Sequence, residues 1–536
     1  MLDMSTNQNF DVVVVGAGSA GSVLAARLSE NPRLRVALLE TGDGGLPQEL
    51  TVPGYGALAA MGERAWASPT TPQEAVSGRV VPLVTGTGLG GGSGINSMGW
   101  LQAHPADYDG WAADGAEGWD ATSVLPLFAR IEDHELGSSG THGSGGPMAI
   151  SGPRHLHPLA LPFVRAAREQ GWAVSTDLSR DQRTGISLAP SNIRDGRRHS
   201  VVDGYLDPAR DRANLSILTN TRVTQVLLDG ERAVGVRIVS QDGSAQELLA
   251  SAGVVVTAGA LRTPQVLMLS GLGPAAHLAE HGIAVARDLP AVGSYLQDHP
   301  AVALPFMADP SLLPGSYGGA DAQADYELMR RGPLSTLAQV AALIPSAARI
   351  ADPDAPPELV YGLAMLGQHA GLPAFEGPSG AWVVGLVDPD SRGTVRLSSA
   401  DPTDEVVVDP RYLTEATDRR RLRDGVRSGM RLLNSPALKG LLEPMLAEPA
   451  DDAALDAFID ATLATYYHPA GTARIGTDAQ TSVVDARLRV HGLRGLWVAD
   501  ASVMPRITRT LPQATIVAIA ERGAELIAQE IASAER

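Results

Sequence analysis

Three glycines and a glutamate near the start of the chain have the types and spacing of a nucleotide-binding site. Gly16, Gly18 and Gly21 form the pattern G-x-G-x-x-G, and Glu40 follows after about 20 residues. The first glycine permits a tight turn, the second lets the backbone approach a pyrophosphate, and the third lets a helix pack against a strand. A carboxylate placed like Glu40 can accept hydrogen bonds from the ribose of an adenosine. The spacing predicts a dinucleotide site, with a glycine-rich turn in another kind of α/β protein as the alternative.

The elements around these residues fit a β-α-β unit. Residues 12–15 are all valine, and such a β-branched run predicts a parallel strand buried on both faces. Residues 20–28 are mostly small and apolar, which predicts a helix whose N-terminal amides and dipole face the phosphates. Residues 35–39 predict a second strand that ends at Glu40. Because all of these elements are in register, the dinucleotide interpretation is favoured over the bare glycine turn.

Composition limits what the rest of the chain can be. Its 536 residues provide two or three domains at about 150 residues each. With 60 acidic and 42 basic residues, the net charge of −18 argues against a nucleic-acid or anionic-membrane partner and is compatible with a small neutral or cationic ligand. The chain contains no cysteine, which excludes disulfides, thiolate metal sites and cysteine nucleophiles. Any redox chemistry must therefore come from a cofactor.

The N-terminal segment and the hydrophobic segments predict where the protein resides. The first ten residues have neither the basic region nor the apolar region of a secretory signal. No later segment has about 20 uninterrupted apolar residues, the length that a membrane-spanning helix needs. We therefore expect a cytoplasmic protein without a membrane span.

Two further segments have features expected of a cofactor site. Residues 86–109 are rich in glycine before Asn96, which predicts backbone lying against a flat ligand with Asn96 hydrogen-bonded to it. The alternative is a flexible glycine loop. Near the C-terminus, residues 496–498 predict a strand that ends at Asp500. Beside the first glycine turn this Asp would lie near the cofactor, and the alternative is an ordinary cap for the residues from Ser502 onward.

The remaining pattern divides the chain between two kinds of sheet. Residues 215–219, 222–228 and 233–239 alternate like antiparallel strands and predict a β-meander inserted in the nucleotide-binding domain. Residues 254–256 predict another buried strand that leads into a second glycine turn and helix. Between residues 301 and 464 prolines recur among short strands and one charged amphipathic helix. This block predicts a separate sheet-plus-helix domain that determines substrate specificity.

Taken together, the motifs resemble those of the glucose-methanol-choline (GMC) oxidoreductases along the whole chain. The first family signature corresponds to residues 86–109, where Thr87 replaces the usual Arg, Lys or Asn. The second signature, at residues 259–273, matches at every position. The other matching segments are LEXG at 39–42, VGXXLQDHP at 292–300, SRGXVXL at 391–397 and HPXGTXRXG at 468–476.

The resemblance implies a fold and a domain arrangement. The fold is α/β, with a Rossmann-like FAD-binding domain of the p-hydroxybenzoate hydroxylase/GMC type and a second, α+β substrate domain built on an antiparallel sheet. The FAD-binding domain is discontinuous and comprises residues 1–155, 206–300 and 466–536. The substrate domain comprises residues 156–205 and 301–465, and the catalytic histidine lies at the junction.

The resemblance also implies roles for individual residues. FAD is the cofactor and His468 the catalytic residue. The cofactor-binding residues are Gly16, Gly18, Ser19 and Gly21 at the pyrophosphate end, Glu40 at the ribose, Val223 near the adenine, Gly91, Ser93 and Asn96 along the flavin, and Asp500 and Ala501 at its ribityl end. Tyr467, Leu511, Pro512 and Gln513 are placed in the substrate pocket. No metal is expected.

Elementary chemistry supports the role of His468. When an alcohol carbon loses hydride to flavin N5, the hydroxyl proton must also be removed, and an imidazole is the side chain best suited to that at neutral pH. From the unperturbed pKa of about 6.5 we expect the rate to rise through one ionisation near that value.

Two further departures from the family pattern concern the flavin attachment and the partner of the catalytic histidine. Some members attach FAD covalently through a histidine just before the Asn of the first signature. That position is Ile95 here, so we predict non-covalent FAD. The partner of the catalytic histidine is usually His or Asn, but Leu511 or Pro512 stands in its place. General-base duty would then fall on His468 alone, with Gln513 or Thr510 at most a neutral hydrogen-bonding group.

Other histidines are expected to have no catalytic role. His277 and His281 bracket an H-x-x-E-H pattern that would place two imidazoles on one helix face, but no third metal ligand is indicated. His155 and His157 flank a proline-rich turn and are expected to be exposed. His299, in the LQDHP segment, is expected to be structural.

Three functions remain open at this point. The leading prediction is an FAD-dependent oxidase or dehydrogenase acting on a small or medium primary or secondary alcohol, including a sugar-like one, with O2 or another electron acceptor. The second is a non-redox relative, similar to the hydroxynitrile lyases or photodecarboxylases of the superfamily. The third is a non-catalytic flavoprotein. The sequence does not indicate the oligomeric state.

Overall fold

The computed structural model describes residues 9–56, 62–140, 142–180, 184–309, 312, 320–337, 339–349, 352, 354–364 and 379–534. The strands in this part are β1 Asn9–Val15, β2 Val36–Leu39, β3 Ala65–Pro69, β4 Pro82–Gly86, β5 Glu132–His134, β6 Met148–Ile150, β7 Gly185–Leu188, β8 Ile193–Arg194, β9 Arg197–Arg198, β10 Leu215–Leu218, β11 Thr221–Asp229, β12 Arg232–Ser240, β13 Ala245–Val256, β14 Leu272–Gly273, β15 Arg287–Asp288, β16 Ser294–Leu296, β17 Pro300–Ala308, β18 Val340–Ile344, β19 Leu359–Ala364, β20 Ser379–Leu386, β21 Gly393–Arg396, β22 Val407–Asp409, β23 Leu442–Pro444, β24 Ala464–Thr465 and β25 Leu496–Val498.

The α-helices of the same residues alternate with these strands. They are α1 Ser19–Leu28, α2 Gly92–Ile95, α3 Pro105–Ala113, α4 Ala121–Val124, α5 Phe128–Ile131, α6 Ala160–Glu169, α7 Asp207–Ala209, α8 Gly259–Leu269, α9 Ala275–Glu280, α10 Ala320–Met329, α11 Ala416–Leu433, α12 Asp452–Thr462 and α13 Gln513–Ala534. In the part of the chain that the structure describes, no helix combines the length and apolarity needed to cross a bilayer.

The first sheet is parallel at its centre. β2, β1 and β13 lie side by side, with β10 parallel to β2 and β25 parallel to the C-terminal half of β13. The four valines of β1 are at most 3% exposed because helices and strands cover both faces of the sheet. α1 packs against α13, and the small residues on both helices permit a close approach. β11, β12 and the first half of β13 form an antiparallel meander at one side.

One strand differs from its predicted pairing. Residues 215–219 were expected to pair antiparallel in the meander, but β10 lies parallel to β2 at the sheet edge. Asn214 fixes this placement, since its side-chain amide donates to the carbonyls of Ser29, Asn31 and Leu34 after α1. An alternating sequence pattern does not distinguish a parallel edge strand from one arm of a hairpin.

The second sheet is antiparallel throughout, in the order β23-β17-β20-β19-β18-β7, with β24 also paired to β17. One face carries large side chains that pack against α6 and α11. Phe163 of α6 lies 4.9 Å from the Trp382 ring and 5.8 Å from the Phe306 ring, between ring centroids. The opposite face carries smaller residues. Together the two sheets confirm the predicted fold class, an α/β nucleotide-binding fold with an α+β second domain.

A third, small sheet contains strands from both sides of one predicted domain boundary. β21 and β22 fall within residues 301–465, but β21 pairs with β16, which precedes that block. Val395 and Val408 pack with Leu83 and Leu261 of the first domain. Residues 393–409 therefore lie against the nucleotide-binding domain, whereas β7, β17–β20, β23 and β24 belong to the substrate sheet.

Candidate active site

A cavity of about 980 Å³ extends from the glycine turn after β1 to the small-residue face of the second sheet. Its lining includes most of the residues predicted from the sequence. These are Gly16, Gly18, Ser19, Glu40, Gly91, Asn96, Val223, Tyr467, His468, Asp500, Ala501, Leu511, Pro512 and Gln513. Gly21 and Ser93 do not line it. One continuous space thus joins the predicted nucleotide site to the predicted catalytic histidine.

Glycine is required at each position of the first turn for a different structural reason. Gly16 has φ +96°, and a Cβ there would lie 2.7 Å from the Thr257 carbonyl oxygen. A Cβ on Gly21 would lie 1.9 Å from the Gly16 oxygen, so this residue serves helix–strand packing. A Cβ on Gly18 would meet no atom within 4 Å. The open space beside Gly18 is where a pyrophosphate can approach the backbone.

Glu40 holds three chain segments together. Its Oε2 accepts a hydrogen bond from the Ala17 amide at 2.9 Å, and its Oε1 accepts from the amides of Gly42 at 2.8 Å and Gly88 at 3.0 Å. A carboxylate has about four lone-pair sites, so these three bonds leave capacity for a ribose hydroxyl. The sequence did not indicate this set of three hydrogen bonds, which we call the Glu40 clamp. A Cβ on Gly42 would lie 2.5 Å from the Gly88 amide nitrogen, which explains the glycine after Glu40.

The glycine-rich first signature crosses the first turn. Gly91 has φ +47°, and a Cβ there would lie 2.8 Å from the Gly18 Cα. Ser93 is fully buried, and its hydroxyl donates to the Gly90 carbonyl at 2.8 Å, so it shapes the turn from behind the cavity wall. Asn96 Oδ1 accepts from the Met98 amide at 3.0 Å and from Arg198 Nη1 at 2.9 Å. Its amide nitrogen remains the group available to a ligand.

Asp500 caps a turn and lines the cavity at once. Its Oδ1 accepts from the Ser502 amide at 2.8 Å, and its Oδ2 accepts from the Gly259 amide at 2.8 Å and the Thr263 hydroxyl at 2.7 Å. Burial raises the pKa of its carboxyl. The capping role and the cofactor position, which the sequence presented as alternatives, are therefore compatible.

The nucleotide end contains a group that the sequence did not indicate. Trp66 lines the cavity near Val223, and the guanidinium groups of Arg222 and Arg262 lie 5.6 and 4.2 Å from its ring centroid. Glu405 accepts a hydrogen bond from the Trp66 indole at 2.6 Å. No local motif marks this cluster, because Glu405 is 339 residues away from Trp66.

A buried aspartate positions the main chain around His468. Asp298 Oδ1 accepts from the His468 amide at 2.8 Å, and its Oδ2 accepts from the hydroxyls of Tyr412 and Thr465. Tyr467, just before the histidine, has φ +62°. A non-glycine residue in this region is uncommon and persists where its surroundings fix it. The Asp298 bonds supply that constraint.

His468 is paired with a second imidazole. His299 Nδ1 lies 2.9 Å from His468 Nδ1; His299 is fully buried, whereas His468 is half-buried where it lines the cavity. The sequence analysis treated His299 as a residue with no direct role and missed this contact. The one available signal was that LQDHP and HPAGT, two matched family segments, each contain a histidine.

Burial keeps this pair neutral. It lowers the pKa of His299 to about 3, against the opposing effect of the Thr508 and Val387 carbonyls. Burial and the neighbouring His299 lower the pKa of His468 well below its usual value. The expectation of an ionisation near 6.5 is therefore wrong for this environment, since desolvation disfavours the charged imidazole.

The three residues at the start of α13 separate into two groups. Leu511 and Pro512 line the cavity, and Leu511 belongs with Leu101 to an apolar cluster. Gln513 lies at the cofactor side, since its Oε1 accepts from the Ser19 hydroxyl at 3.0 Å. Its Nε2 is buried without a hydrogen-bond partner in the described structure. Gln513 therefore lies next to the glycine turn and has a donor that no described group binds.

The remaining histidines are placed as follows. His277 Nε2 accepts from the Leu397 amide at 3.0 Å, and its ring centroid lies 4.7 Å from that of His281. Among the described residues, no group of three potential metal ligands converges there or elsewhere. The expected exposure of His157 is wrong, because it is only 4% exposed. Its amide donates to Gln339, whose segment covers the proline-rich turn.

Comparisons with known proteins fix the family. Models of the GMC oxidoreductase family match residues 10–301 and 389–520. The chain is 34% identical to an alcohol dehydrogenase [acceptor] of Pseudomonas putida, over 97% of this chain and 96% of that protein. It is 36% identical to an oxygen-dependent choline dehydrogenase of Paraburkholderia phymatum, over 97% and 92%. The protein belongs to the GMC oxidoreductase family.

A solved structure agrees with this assignment. The crystal structure of pyridoxine 4-oxidase from Mesorbium loti superposes with a TM-score of 0.88 at 34% identity, covering 96% of this chain and 99% of that one. FAD is accordingly the cofactor, and the protein is an FAD-dependent enzyme that oxidises CH–OH groups. The cavity fits FAD, since it offers the open face of Gly18, the Glu40 carboxylate and the unpartnered Gln513 amide.

Proposed function

We propose that the protein oxidises a primary or secondary alcohol to the carbonyl compound, with His468 as the general base. The observation that supports this most directly is the position of His468, half-buried at the cavity wall and paired with His299 at 2.9 Å. A histidine held neutral at neutral pH is ready to accept the hydroxyl proton. Bound FAD supplies the hydride acceptor.

The pair of imidazoles limits which nitrogen does this work. Each neutral ring carries one N–H, and a contact between two Nδ1 atoms needs one donor and one acceptor. In our proposal His468 donates through Nδ1, so its Nε2 holds the lone pair for the substrate. His299 then accepts and fixes this tautomer. The substrate O–H bond breaks toward His468 Nε2 while the carbon releases hydride with its electron pair.

The apolar residues at the usual partner position strengthen the dependence on His468. Leu511 and Pro512 offer no proton-accepting group. Thr510 does not line the cavity in the described structure, and Gln513 is engaged with Ser19. General-base duty therefore rests on His468 in this proposal, with His299 as its positioning partner.

An anaerobic panel of alcohols tests the proposal. A reactive alcohol should bleach the flavin absorbance of the wild-type holoenzyme, because only hydride transfer reduces the ring. The same panel repeated with oxygen distinguishes O2 from another electron acceptor. If no alcohol of the panel reduced the flavin, the proposal would be refuted, and the non-redox and non-catalytic alternatives would be favoured.

The manner of FAD binding has its own tests. Ile95 lines the cavity with a hydrocarbon side chain, which supports non-covalent FAD. Acid precipitation should leave the flavin in the supernatant, and flavin retained on the protein would contradict this. Glu40→Ala removes a charge-assisted acceptor of about 1.5 to 3 kcal/mol. The purified variant should be largely flavin-depleted, and full occupancy would rule out the role of Glu40.

A further inference from the structure

The second sheet presents a face of small apolar residues to the cavity. Alternation along its strands directs Ala341, Val360, Gly362 and Val383 to this side, while their neighbours join the core on the other. The pairing brings these residues together, since Gly362 lies between Ala341 and Val383 in register. This part of the sheet presents no polar side chain to a substrate.

Tyr466 covers two glycines of that face. A Cβ on Gly385 would lie 2.3 Å from Tyr466 Cε2, so only glycine leaves room for the ring. The Tyr466 hydroxyl donates to the Val383 carbonyl at 3.3 Å, which satisfies its polar group. The ring stacks at 15° on His468, with centroids 5.8 Å apart. Tyr466 therefore extends the apolar wall up to the base.

Leu511 lines the same part of the cavity. It packs with Leu101 and Val360 in one apolar cluster that also contacts Tyr466. A Cβ on Gly99 would lie 2.6 Å from Leu511 Cδ1 and meet nothing else within 4 Å, so Leu511 fills the space above this glycine. Leu511, Tyr466 and the small-residue face thus line the part of the cavity next to His468, which we call the slot.

The carboxylate, guanidinium and imidazole side chains that line the described cavity, other than His468, lie on the side predicted to hold the cofactor. Arg222 and Arg262 contact Trp66, Glu40 binds the glycine turn, and Asp500 caps the Gly259 amide. Near His468, the hydroxyls of Thr465 and Tyr466 are used by Asp298 and by the Val383 carbonyl, and Tyr467 adds one further hydroxyl. The described slot therefore holds no counter-ion for a charged substrate and few partners for several hydroxyls.

We infer that the substrate is an uncharged alcohol with an apolar chain or ring, rather than choline or a sugar. This inference rests on the proposed function and names its substrate class. A quaternary ammonium in the slot would be a buried charge without a partner, and extra hydroxyls would lose their hydrogen bonds to water. Leu511 is the residue that we assign to specificity.

The sharpest test compares choline with 3,3-dimethylbutan-1-ol, its neutral isostere, in anaerobic flavin reduction by the wild-type holoenzyme. We expect kcat/KM to favour the neutral alcohol by at least about 100-fold. Among unbranched alcohols from ethanol to hexanol, kcat/KM should rise by about fourfold per methylene. Glucose should reduce the flavin much more slowly than hexanol does.

A variant with a matched control examines the same slot. Leu511→Asp places a carboxylate beside the substrate. The ratio of kcat/KM for 3,3-dimethylbutan-1-ol to kcat/KM for choline should therefore fall by at least about tenfold. Leu511→Asn has nearly the same shape without the charge and should not. FAD content and thermal stability show that both variants are folded. If neither folds, the wild-type comparison still decides.

Choline oxidised as well as its isostere would overturn the inference, while bleaching of the flavin would still support alcohol oxidation. A preference for glucose over hexanol would overturn it in the same way. If no alcohol bleaches the flavin, the proposed function fails and the inference with it. If the ratio of kcat/KM between the neutral alcohol and choline were unchanged in Leu511→Asp, Leu511 would not be the residue that determines specificity.

Discussion

The pKa values of two histidines in this protein are shifted in opposite directions. His468 pairs with His299, and its pKa lies well below the usual value. His142 lies between two carboxylates, with Nδ1 2.5 Å from Glu132 Oε2 and Nε2 2.7 Å from Asp177 Oδ2. Burial alone would lower its pKa, but these bonds outweigh burial and raise it to about 9. Desolvation lowers the pKa of both imidazoles, so the two carboxylates that contact His142 account for the difference between them.

The difference matches two kinds of work. A neutral imidazole is a base, whereas a protonated one is a double donor that can join two chain segments. The Glu132 carboxylate also accepts from the Trp100 indole at 2.8 Å and from the Gln102 amide at 3.0 Å. These two residues flank Leu101, which lines the cavity. The charged histidine thus supports the wall of the site in which the neutral one acts.

The largest effect on the two histidine sites is expected from the substitution His468→Ala. Loss of a general base typically costs about 10² to 10⁴ in rate, so flavin reduction should fall by that factor. FAD content should stay near the wild-type value because the Glu40 clamp is untouched. Stopped-flow reduction under anaerobic conditions measures the rate. Near wild-type reduction in the variant would contradict the assignment of His468.

The next largest effect is expected from His142→Gln. It leaves two buried carboxylates without their cation, which typically costs about 3 to 5 kcal/mol of unfolding free energy. Denaturant unfolding of the holoenzyme measures this loss. The control is His281→Gln, on a half-buried ring outside both clusters, which should change stability by no more than about 0.5 kcal/mol. Equal stability of the two variants would show that His142 is not held as a cation.

His299 variants sharpen the catalytic half of the comparison. His299→Leu removes the acceptor for His468 Nδ1–H, a hydrogen bond of about 1.5 to 3 kcal/mol once His468 is protonated. Flavin reduction should fall by about ten- to a hundredfold, whereas His299→Asn, which keeps an acceptor oxygen, should recover part of it. A purely structural role would predict the same loss in both variants, together with an unchanged pH profile.

The pH dependence of the rate gives a smaller effect. Because the pKa of His468 is lowered well below 6.5, kcat/KM should stay level from pH 8 through 6.5 and decline only at more acidic pH. Steady-state rates across this range, with flavin content checked at each pH, provide the measurement. A midpoint near 6.5 would mean that the base is an unperturbed imidazole.

Stability should respond at the other end of the pH scale. The folded pKa of His142, about 9, lies above its unfolded value of about 6.5. Its contribution to stability is therefore fully present below about pH 6.5 and is lost as the pH rises through about 9. Thermal unfolding of the wild type should show this decline, and His142→Gln should lack it. Parallel curves for the two proteins would refute the linkage.

Contiguous features could be predicted from the sequence. The glycine turn, the strand before it and the short family motifs each lie within a few dozen residues, so local propensity and spacing define them. Contacts between distant residues could not. His299 and His468 are 169 residues apart, and Ser19 and Gln513 are 494 apart. Nothing in either local pattern says that the other segment will lie beside it.

The same limit explains the errors. The pairing direction of β10 depends on Asn214, which binds carbonyls near the end of α1 about 180 residues earlier. The exposure of His157 depends on the segment around Gln339. The pKa of His468 depends on how deeply the second domain buries it. Each is a property of tertiary packing, which the flanking sequence does not contain.

The Glu40 clamp has a consequence for how the cofactor enters. Its carboxylate joins the amides of Ala17, Gly42 and Gly88, so hydrogen bonds within the protein itself hold these three loops together. Preorganisation of this kind lowers the ordering entropy that binding must overcome. Less of the intrinsic interaction energy is then consumed in arranging the loops, and the surplus appears as tighter retention of the cofactor.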